Sequence, residues 1–340
     1  MFKKATVDAA SVPSTQSNFP TYIDLARVGV TTLAEAQSIR VYADEAKTTE
    51  WAREIVSLTE MHVKVPSLTS TVDIYIDADG VRADYATGAT YGRNAVWTGY
   101  AAVNHLNDVT ESARGNDSSN VNSSTFGAGK IGNAVTFNGT NQTLSTPTGI
   151  PDTNSNAAWT LQSWVKSSAT AAQFYATRTN ASAHAQYNMM HNVITAGRIY
   201  VEISPANAGS NMLAARSAAG TVNSGNWEMI HFTYSGSRTY AGMNFYQAGA
   251  SLGRTDMTST LSTNAPTGTA GAIGSRTTTF GAYYNGSMDE WRVATSELSA
   301  NWITTEYNNQ NAESTFWGTW TTFGGGAAAV NARCLFLMMV

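Results

Sequence analysis

The chain is predicted to be all-β, a small N-terminal β-sandwich followed by a larger antiparallel sandwich with few short helices. Three observations predict this. Apolar and polar residues alternate in short runs, the period of a half-buried strand. Ser, Thr, Asn, Gly and Ala dominate while charged residues are only 13% of 340, so polarity comes from hydroxyls and amides rather than charge. Two stretches, 129–147 and 284–309, read as the two ends of one sandwich, with core strands at 159–166 and 227–236 between them.

Taken in order, TTLAEAQSI (31–39) has the spacing of a short helix, and TVDIYIDAD (71–79) that of a strand. There Val72, Ile74 and Ile76 point one way and Asp73, Tyr75 and Asp77 the other. Asp73, Asp77 and Asp79 share a face, and DADG imitates part of a calcium loop; without the remaining ligands it reads as a solvated strand end turning at Gly80. Charge thins out after Trp97, and 112–132 is a Ser/Asn/Gly loop. The boundary is placed near residue 95, because WTGYAAVNHLND (97–108) already alternates, giving units 1–95 and 96–323 and a tail 324–340. RIYVEI (198–203) puts Ile199, Val201 and Ile203 inward and Arg198, Tyr200 and Glu202 outward. MIHFTY (229–234) puts Ile230, Phe232 and Tyr234 inward, His231 and Thr233 outward. MNFYQAG (243–249) is a strand entering a tight turn, and 299–309 a helix with Ser299 as N-cap. The tail ends CLFLMMV, an aggregation hazard if exposed, so it is expected to be buried against another subunit or inside a particle, the alternative being a disordered tail.

Composition also excludes. The net charge of −4 and pI near 5.7 come with no basic patch, which argues against nucleic acid as a partner. The single Cys334 forms no internal disulfide. MFKKATVDAAS has no apolar run after its lysines, so it does not read as a secretory signal. No stretch approaches a membrane span, and no membrane insertion is expected. The composition nevertheless resembles extracellular or virion β-structure; a virus particle reconciles the two, since lysis releases its proteins, with the bacterial cell surface as alternative. His62, His105, His184, His191 and His231 are scattered without His-x-His or Glu-x-x-His spacing, so no histidine-held metal is expected. No Gly-x-Ser-x-Gly elbow occurs, and GAGKIG is too short for a phosphate loop.

FPTYIDL, SIRVYADEAKTTEWAREI, VKVPSLTSTVDIYIDADG and ATYGRNAVWTGYAAVNHLND together resemble a domain of uncharacterised function found in bacterial surface proteins and phage structural proteins. GKIGNAVTFNG, WTLQSWVK, WEMIHFTYSG, IGSRTTTFGAYYNGSMDEWRV and ITTEYNNQNAESTF resemble the concanavalin A-like jelly roll of the laminin-G type that commonly follows it. The two resemblances run from residue 1 to about 323. They imply a laminin-G-like antiparallel jelly roll used for glycan binding, protein binding or spacing. Phe137-Asn138-Gly139 stands where the family usually has Phe-Asp-Gly, and Glu111-Ser112 where an Asp-Ser pair is usual. Some laminin-G domains hold calcium through loop carboxylates, and the missing carboxylate argues against calcium here, so no cofactor is expected. Asp289 and Glu290 match the family's acidic pair, read as carboxylates accepting backbone N–H bonds, with metal or ligand binding as the alternative.

Nine Trp and fifteen Tyr exceed what a core of this size needs, and sugars stack on exposed aromatics. Trp164, Phe137, Phe232 and Trp291 read as core. Arg198, Tyr200 and Glu202, with Asn188 and Asn192 on the partner strand, are the candidate glycan face; the alternative is an ordinary solvated or subunit-covered sheet face. A glycosidase needs two carboxylates about 5–9 Å apart, and neither Glu-x-Asp-x-x-Glu nor any equivalent occurs, so catalytic residues are expected to be absent. The expectation is a non-enzymatic virion structural protein, a fibre or decoration component, binding host-surface glycans as a homo-oligomer among other subunits. A purely structural assembly protein and a polysaccharide-degrading enzyme are the alternatives.

Overall fold

The computed structural model describes residues 1–147, 155–171, 173–180, 183–191, 196–205, 211–264, 270–276 and 282–323, the strands at 173–180 and 183–191 by backbone alone apart from Met189. Its N-terminal unit has two antiparallel sheets sharing one core. Five strands run in the order Thr321–Thr322, Phe2–Thr6, Asp73–Asp77, Arg40–Tyr42 and Glu50–Trp51, and three in the order Gln16–Asp24, Glu60–Leu68 and Arg53–Ile55. Alternation sets the faces as expected: Ile74 and Ile76 are fully buried with Phe19, Ile23, Val63 and Val65 from the smaller sheet. Asp73 and Asp77 instead meet Lys4 and Lys47, each at 2.7 Å. Asp79 accepts the backbone N–H of Val81 and Arg82, both at 2.9 Å, which makes it a turn residue.

The helix expected at 31–39 spans Leu33–Gln37, opened by a capping box between Thr32 and Glu35. The segment 112–132 is more than a loop. It contributes Ser119–Val121 and Thr125–Ala128, edge strands of the two sandwich sheets, which pair through backbone and need few apolar side chains.

The jelly roll has two eight-stranded sheets with antiparallel pairings. The first runs Thr125–Ala128, Asn133–Asn138, Asn285–Ala294, Trp159–Lys166, Glu228–Tyr234, Met243–Gln247 and Ala250–Ser251, with Tyr100–Asn104 paired to Asn285–Ala294. The second runs Arg254–Ser259, Leu213–Ser217, Ile199–Ser204, Ala183–His191, Gln173–Asn180, Gly271–Ile273, Thr143–Thr146 and Ser119–Val121. Leu161, Phe232, Trp291 and Val293 of the first meet Leu144, Ile199, Val201, Ile203 and Ile273 of the second in one core. Phe137 belongs to it too, but Trp164 does not: buried outside that cluster, it donates its indole N–H to Gln310 of the helix Ala300–Asn311 at 2.7 Å.

Two further expectations need correction. His231 and Thr233 point away from the sandwich core yet have no exposure, because the helix Ala300–Asn311 and the N-terminal unit cover that side of the first sheet. Its polar residues, Gln162, Asn104, His231 and Arg292 among them, therefore form a buried seam rather than a solvated face. The stretch after Asn311 was expected to belong to the jelly roll up to residue 323. Phe316, Trp317 and Trp320 instead lie in the N-terminal core, and Thr321–Thr322 pairs with Phe2–Thr6. The physical reason is apolar area: three large aromatics gain most where a core is open to receive them, and alternation cannot say which core that is. The tail 324–340, with Cys334, lies outside the described residues.

Candidate functional site

Asp289 and Glu290 sit on the strand Asn285–Ala294, which reaches both the sandwich and its neighbours in the seam. Asp289 Oδ2 accepts the backbone N–H of Lys130 and of Ile131, both at 2.8 Å. The Gly-Lys-Ile-Gly loop is shaped to that carboxylate. A Cβ on Gly129 would come within 2.6 Å of Asp289 Oδ2, and Gly132, with φ +53°, would place one 2.5 Å from Glu60 Oε2. Burial and the neighbouring Glu290 push the Asp289 carboxyl well above the usual carboxylate range. The expected role, a carboxylate receiving backbone N–H bonds, is what Asp289 performs. Glu111 works the same way, accepting from Val103, Ala113, Arg114 and Asn116. Asn138, in place of the usual Asp, accepts from Thr140 and Asn141 in its turn at 2.9 and 3.1 Å, a task that needs an acceptor but no charge.

Glu290 does something else. Its φ is +52°, a left-handed conformation that costs a non-glycine residue roughly 1–2 kcal/mol, and its side chain enters a buried junction between the two units. Glu60 and His62 reach that junction from the strand Glu60–Leu68, and His105 from the residue after Tyr100–Asn104. Glu60, His62 and Glu290 have no exposure and His105 is 4% exposed. His105 Nδ1 lies 2.7 Å from Glu290 Oε1 and 3.3 Å from Glu60 Oε1, while His62 Nε2 lies 3.1 Å from Glu60 Oε1 and 3.9 Å from Glu290 Oε1. The two imidazoles stack, with centroids 4.7 Å apart.

The surroundings are equally specific. His105 Nε2 faces Glu54 Oε2 at 3.2 Å, and Glu54 also receives the Trp97 indole N–H and, at 2.6 Å, the Ser112 hydroxyl. Asn107 donates to Glu60 Oε2 at 2.9 Å. Arg292 bonds Glu290 Oε2 and, at 2.9 Å, Glu306, which also meets His231 Nε2 at 3.1 Å. Burial and Glu290 raise Glu60 to about 8. Burial alone would lower His105, but Glu290 and Glu54 outweigh it and hold the imidazolium well above the ordinary histidine range. His62 has no such support, and burial drives it well below. Glu290 stays well below the carboxylate range, Arg292 and His105 overcoming its burial.

Spacing along the chain hides this junction, because it contains neither His-x-His nor Glu-x-x-His. On a strand the spacing that puts two side chains on one side is i, i+2, and Glu60-x-His62 has it. A cleft of about 220 Å³ reaches the junction from outside, with Glu54 and His105 in its wall beside Arg53, Arg93, Tyr85 and Asp108. Glu60 and Glu290 do not face each other across that cleft; both are sealed behind it.

The candidate glycan face lies on the second sheet. Asn188 is the direct cross-strand partner of Glu202, but its side chain is not among those described, and Asn192 lies outside the described residues. Arg198 and Glu202 are partly exposed. Tyr200 is only 8% exposed, packed with Ala214 and Met212, and its hydroxyl stands 3.4 Å from Glu202 Oε2. Its ring is thus not the open stacking platform that outward alternation implied, since an aromatic beside small and flexible apolar neighbours gains more by packing than by hydration.

Residues 138–304 match a laminin-G family model described as the concanavalin A-like lectin/glucanases superfamily. No curated protein matches the chain. Solved structures that align with the chain include the binding domain of botulinum neurotoxin serotype G, at TM-score 0.48 and 12% identity over 65% of this chain and 54% of that one. Domain 4 of AbnA, a GH43 extracellular arabinanase from Geobacillus stearothermophilus, solved with arabinotriose, aligns at TM-score 0.42 and 14% identity over 60% and 96%. A heptameric SAP-like pentraxin from Limulus polyphemus aligns at 0.35 and 15% over 46% and 71%. The chain spans about half the length of the neurotoxin binding domains it matches. Two antiparallel sheets enclose a single core across the stretch that the family model covers and take further strands from 100–138, so this all-β chain contains a concanavalin A-like jelly-roll domain of the laminin-G type.

Proposed function

We propose that the protein is a non-enzymatic adhesion component of a particle surface, a fibre or decoration protein of a virion, whose jelly roll contacts host-surface glycans. One observation supports the binding reading: among the described residues the N-terminal unit and the helix Ala300–Asn311 are built onto the first sheet, which leaves the second sheet on the side away from them. Arg198 and Glu202 stand partly exposed there, a cation and an acceptor suited to sugar hydroxyls. The family pairs lectins with glucanases, and the chemistry of this chain favours the first. Its close carboxylates, Glu60 and Glu290, are buried and bound to histidine and arginine, so no substrate can lie between them. The virion context is supported by a composition in which polarity comes from hydroxyls and amides, with 13% charged residues.

Single-site sugar affinity near millimolar, about 4 kcal/mol, suffices when copies are clustered. A glycan array probed with multimerised full-length chain should give signal that Arg198→Ala with Glu202→Ala abolishes. No signal from wild-type multimers would overturn the glycan reading, and reducing-sugar release from a bound polysaccharide would replace it with the enzyme. The burial of Tyr200 favours a second reading, in which the jelly roll serves only as a spacer; the double variant then leaves host attachment unchanged.

A further inference from the structure

The buried junction has the geometry of a coordination shell. His62 Nε2, His105 Nδ1, and a carboxylate oxygen from each of Glu60 and Glu290 all lie within 4.8 Å of one another. Four of their pairwise separations fall between 2.7 and 3.9 Å. Four nitrogen and oxygen ligands held about 2.1 Å from a tetrahedral ion stand about 3.4 Å apart, so these donors already surround one point. We propose that Glu60, His62, His105 and Glu290 bind a single divalent first-row transition-metal ion, zinc before others, which clamps the N-terminal unit to the jelly roll.

The donor set selects the ion class. Two imidazole nitrogens and two carboxylates suit zinc and its neighbours, whereas calcium takes six to eight oxygens, and four side chains that include two histidines cannot supply them. The outer partners are those a metal site requires. His105 presents its other ring nitrogen to Glu54, which Trp97 and Ser112 fix in turn, and each ligating carboxylate uses its second oxygen elsewhere, Glu60 toward Asn107 and Glu290 toward Arg292. His62 departs from that pattern, its Nδ1 lacking a protein partner. Arg292 already serves Glu290, while Glu60 meets only the two imidazoles and Asn107, so a dication bound between the carboxylates, with His105 ligating as neutral imidazole, supplies Glu60 with a cationic partner. The ligands are at most 4% exposed, so the site is closed and structural rather than catalytic. The cleft beside His105 and Glu54 gives an ion its route in. Ligands from the strands Glu60–Leu68 and Asn285–Ala294, with His105 between, tie elements more than 200 residues apart in sequence, which is where a cross-link constrains most.

The test is elemental analysis of purified full-length chain by mass spectrometry, followed by cobalt(II) exchange. One equivalent of zinc, iron, manganese or nickel per chain is expected, and cobalt should give visible absorption bands of a four-coordinate nitrogen–oxygen site. Thermal melting with and without a chelator should show a lower Tm for the stripped protein, restored by added zinc. Glu60→Gln and His62→Gln should weaken zinc binding at least a hundredfold, and Glu54→Gln about ten- to a hundredfold. His231→Gln, in the same seam but outside the donor set, controls for mere disruption and should keep full metal content. Should a variant fail to fold, the wild-type cobalt spectrum and Tm response still decide. Wild-type chain that carries under a tenth of an equivalent, takes up no cobalt and gains no Tm from zinc overturns the proposal. The same holds if chelation strips a metal with no change in Tm, or if His231→Gln loses metal as the ligand variants do.

Discussion

At the residue scale the acidic pair Asp289–Glu290 divides its labour. Both backbone bonds from the Gly-Lys-Ile-Gly loop converge on a single Asp289 oxygen, so the loop needs an acceptor there and not a charge. Asp289→Ala should strand two N–H groups, that of Ile131 fully buried, and cost about 2–3 kcal/mol in urea unfolding. Asp289→Asn keeps one carbonyl oxygen for both bonds and should cost less than half as much. Equal losses from Ala and Asn would show that the negative charge matters. The bland role of Asp289 was legible because a carboxylate before an apolar strand is a recurrent acceptor. The role of Glu290 was not. Its direction depends on a left-handed backbone angle and on a strand 230 residues earlier, neither of which leaves a trace in local pattern.

At the element scale the helix Ala300–Asn311 was legible from Ser299, whose hydroxyl accepts the Trp302 N–H at 3.2 Å. What the helix does was not. Thr305, Glu306, Asn309 and Gln310 would be assigned to a solvent face, yet all four are buried. Asn309 splints the chain of the N-terminal unit, accepting the Tyr22 N–H at 2.6 Å and donating to the Tyr22 carbonyl at 3.0 Å. Asn309→Ala should leave the Tyr22 N–H unpaired and its carbonyl with only the Trp317 indole N–H at 3.1 Å, and cost about 1–3 kcal/mol, with hydrogen exchange at Tyr22 accelerated while the Phe232 amide in the jelly roll stays protected. If both amides lose protection equally, the helix is holding one cooperative unit rather than joining two. Polar residues read as exposed because polarity and exposure usually travel together; here Asn309, Gln310 and Glu306 find hydrogen-bond partners across the contact, which offsets the cost of burying them.

At the scale of the whole molecule the two chain ends meet. Phe316 and Trp317 have no exposure in the N-terminal core and Trp320 only 9%, each aromatic contributing about 2–3 kcal/mol by burial. Truncation after Asn311 removes all three and the strand Thr321–Thr322, a loss comparable to the entire stability of a small unit. Limited proteolysis of the truncated chain should cut within residues 1–80 and spare 155–300; equal resistance of both regions would refute this closure. Alternation, turn residues and ordered family motifs determined by themselves that the chain is all-β, that a jelly roll fills its middle and that Phe137, Phe232 and Trp291 line the sandwich core, because those depend on contacts between sequence neighbours and on side-chain period. Only the tertiary structure decided that the polar side of the first sheet is a buried seam, that the last aromatics complete the first core, and that Glu60, His62, His105 and Glu290 converge. Those are contacts across hundreds of residues, chosen by where area is left to bury and which charges remain to be matched, and a local pattern carries neither quantity.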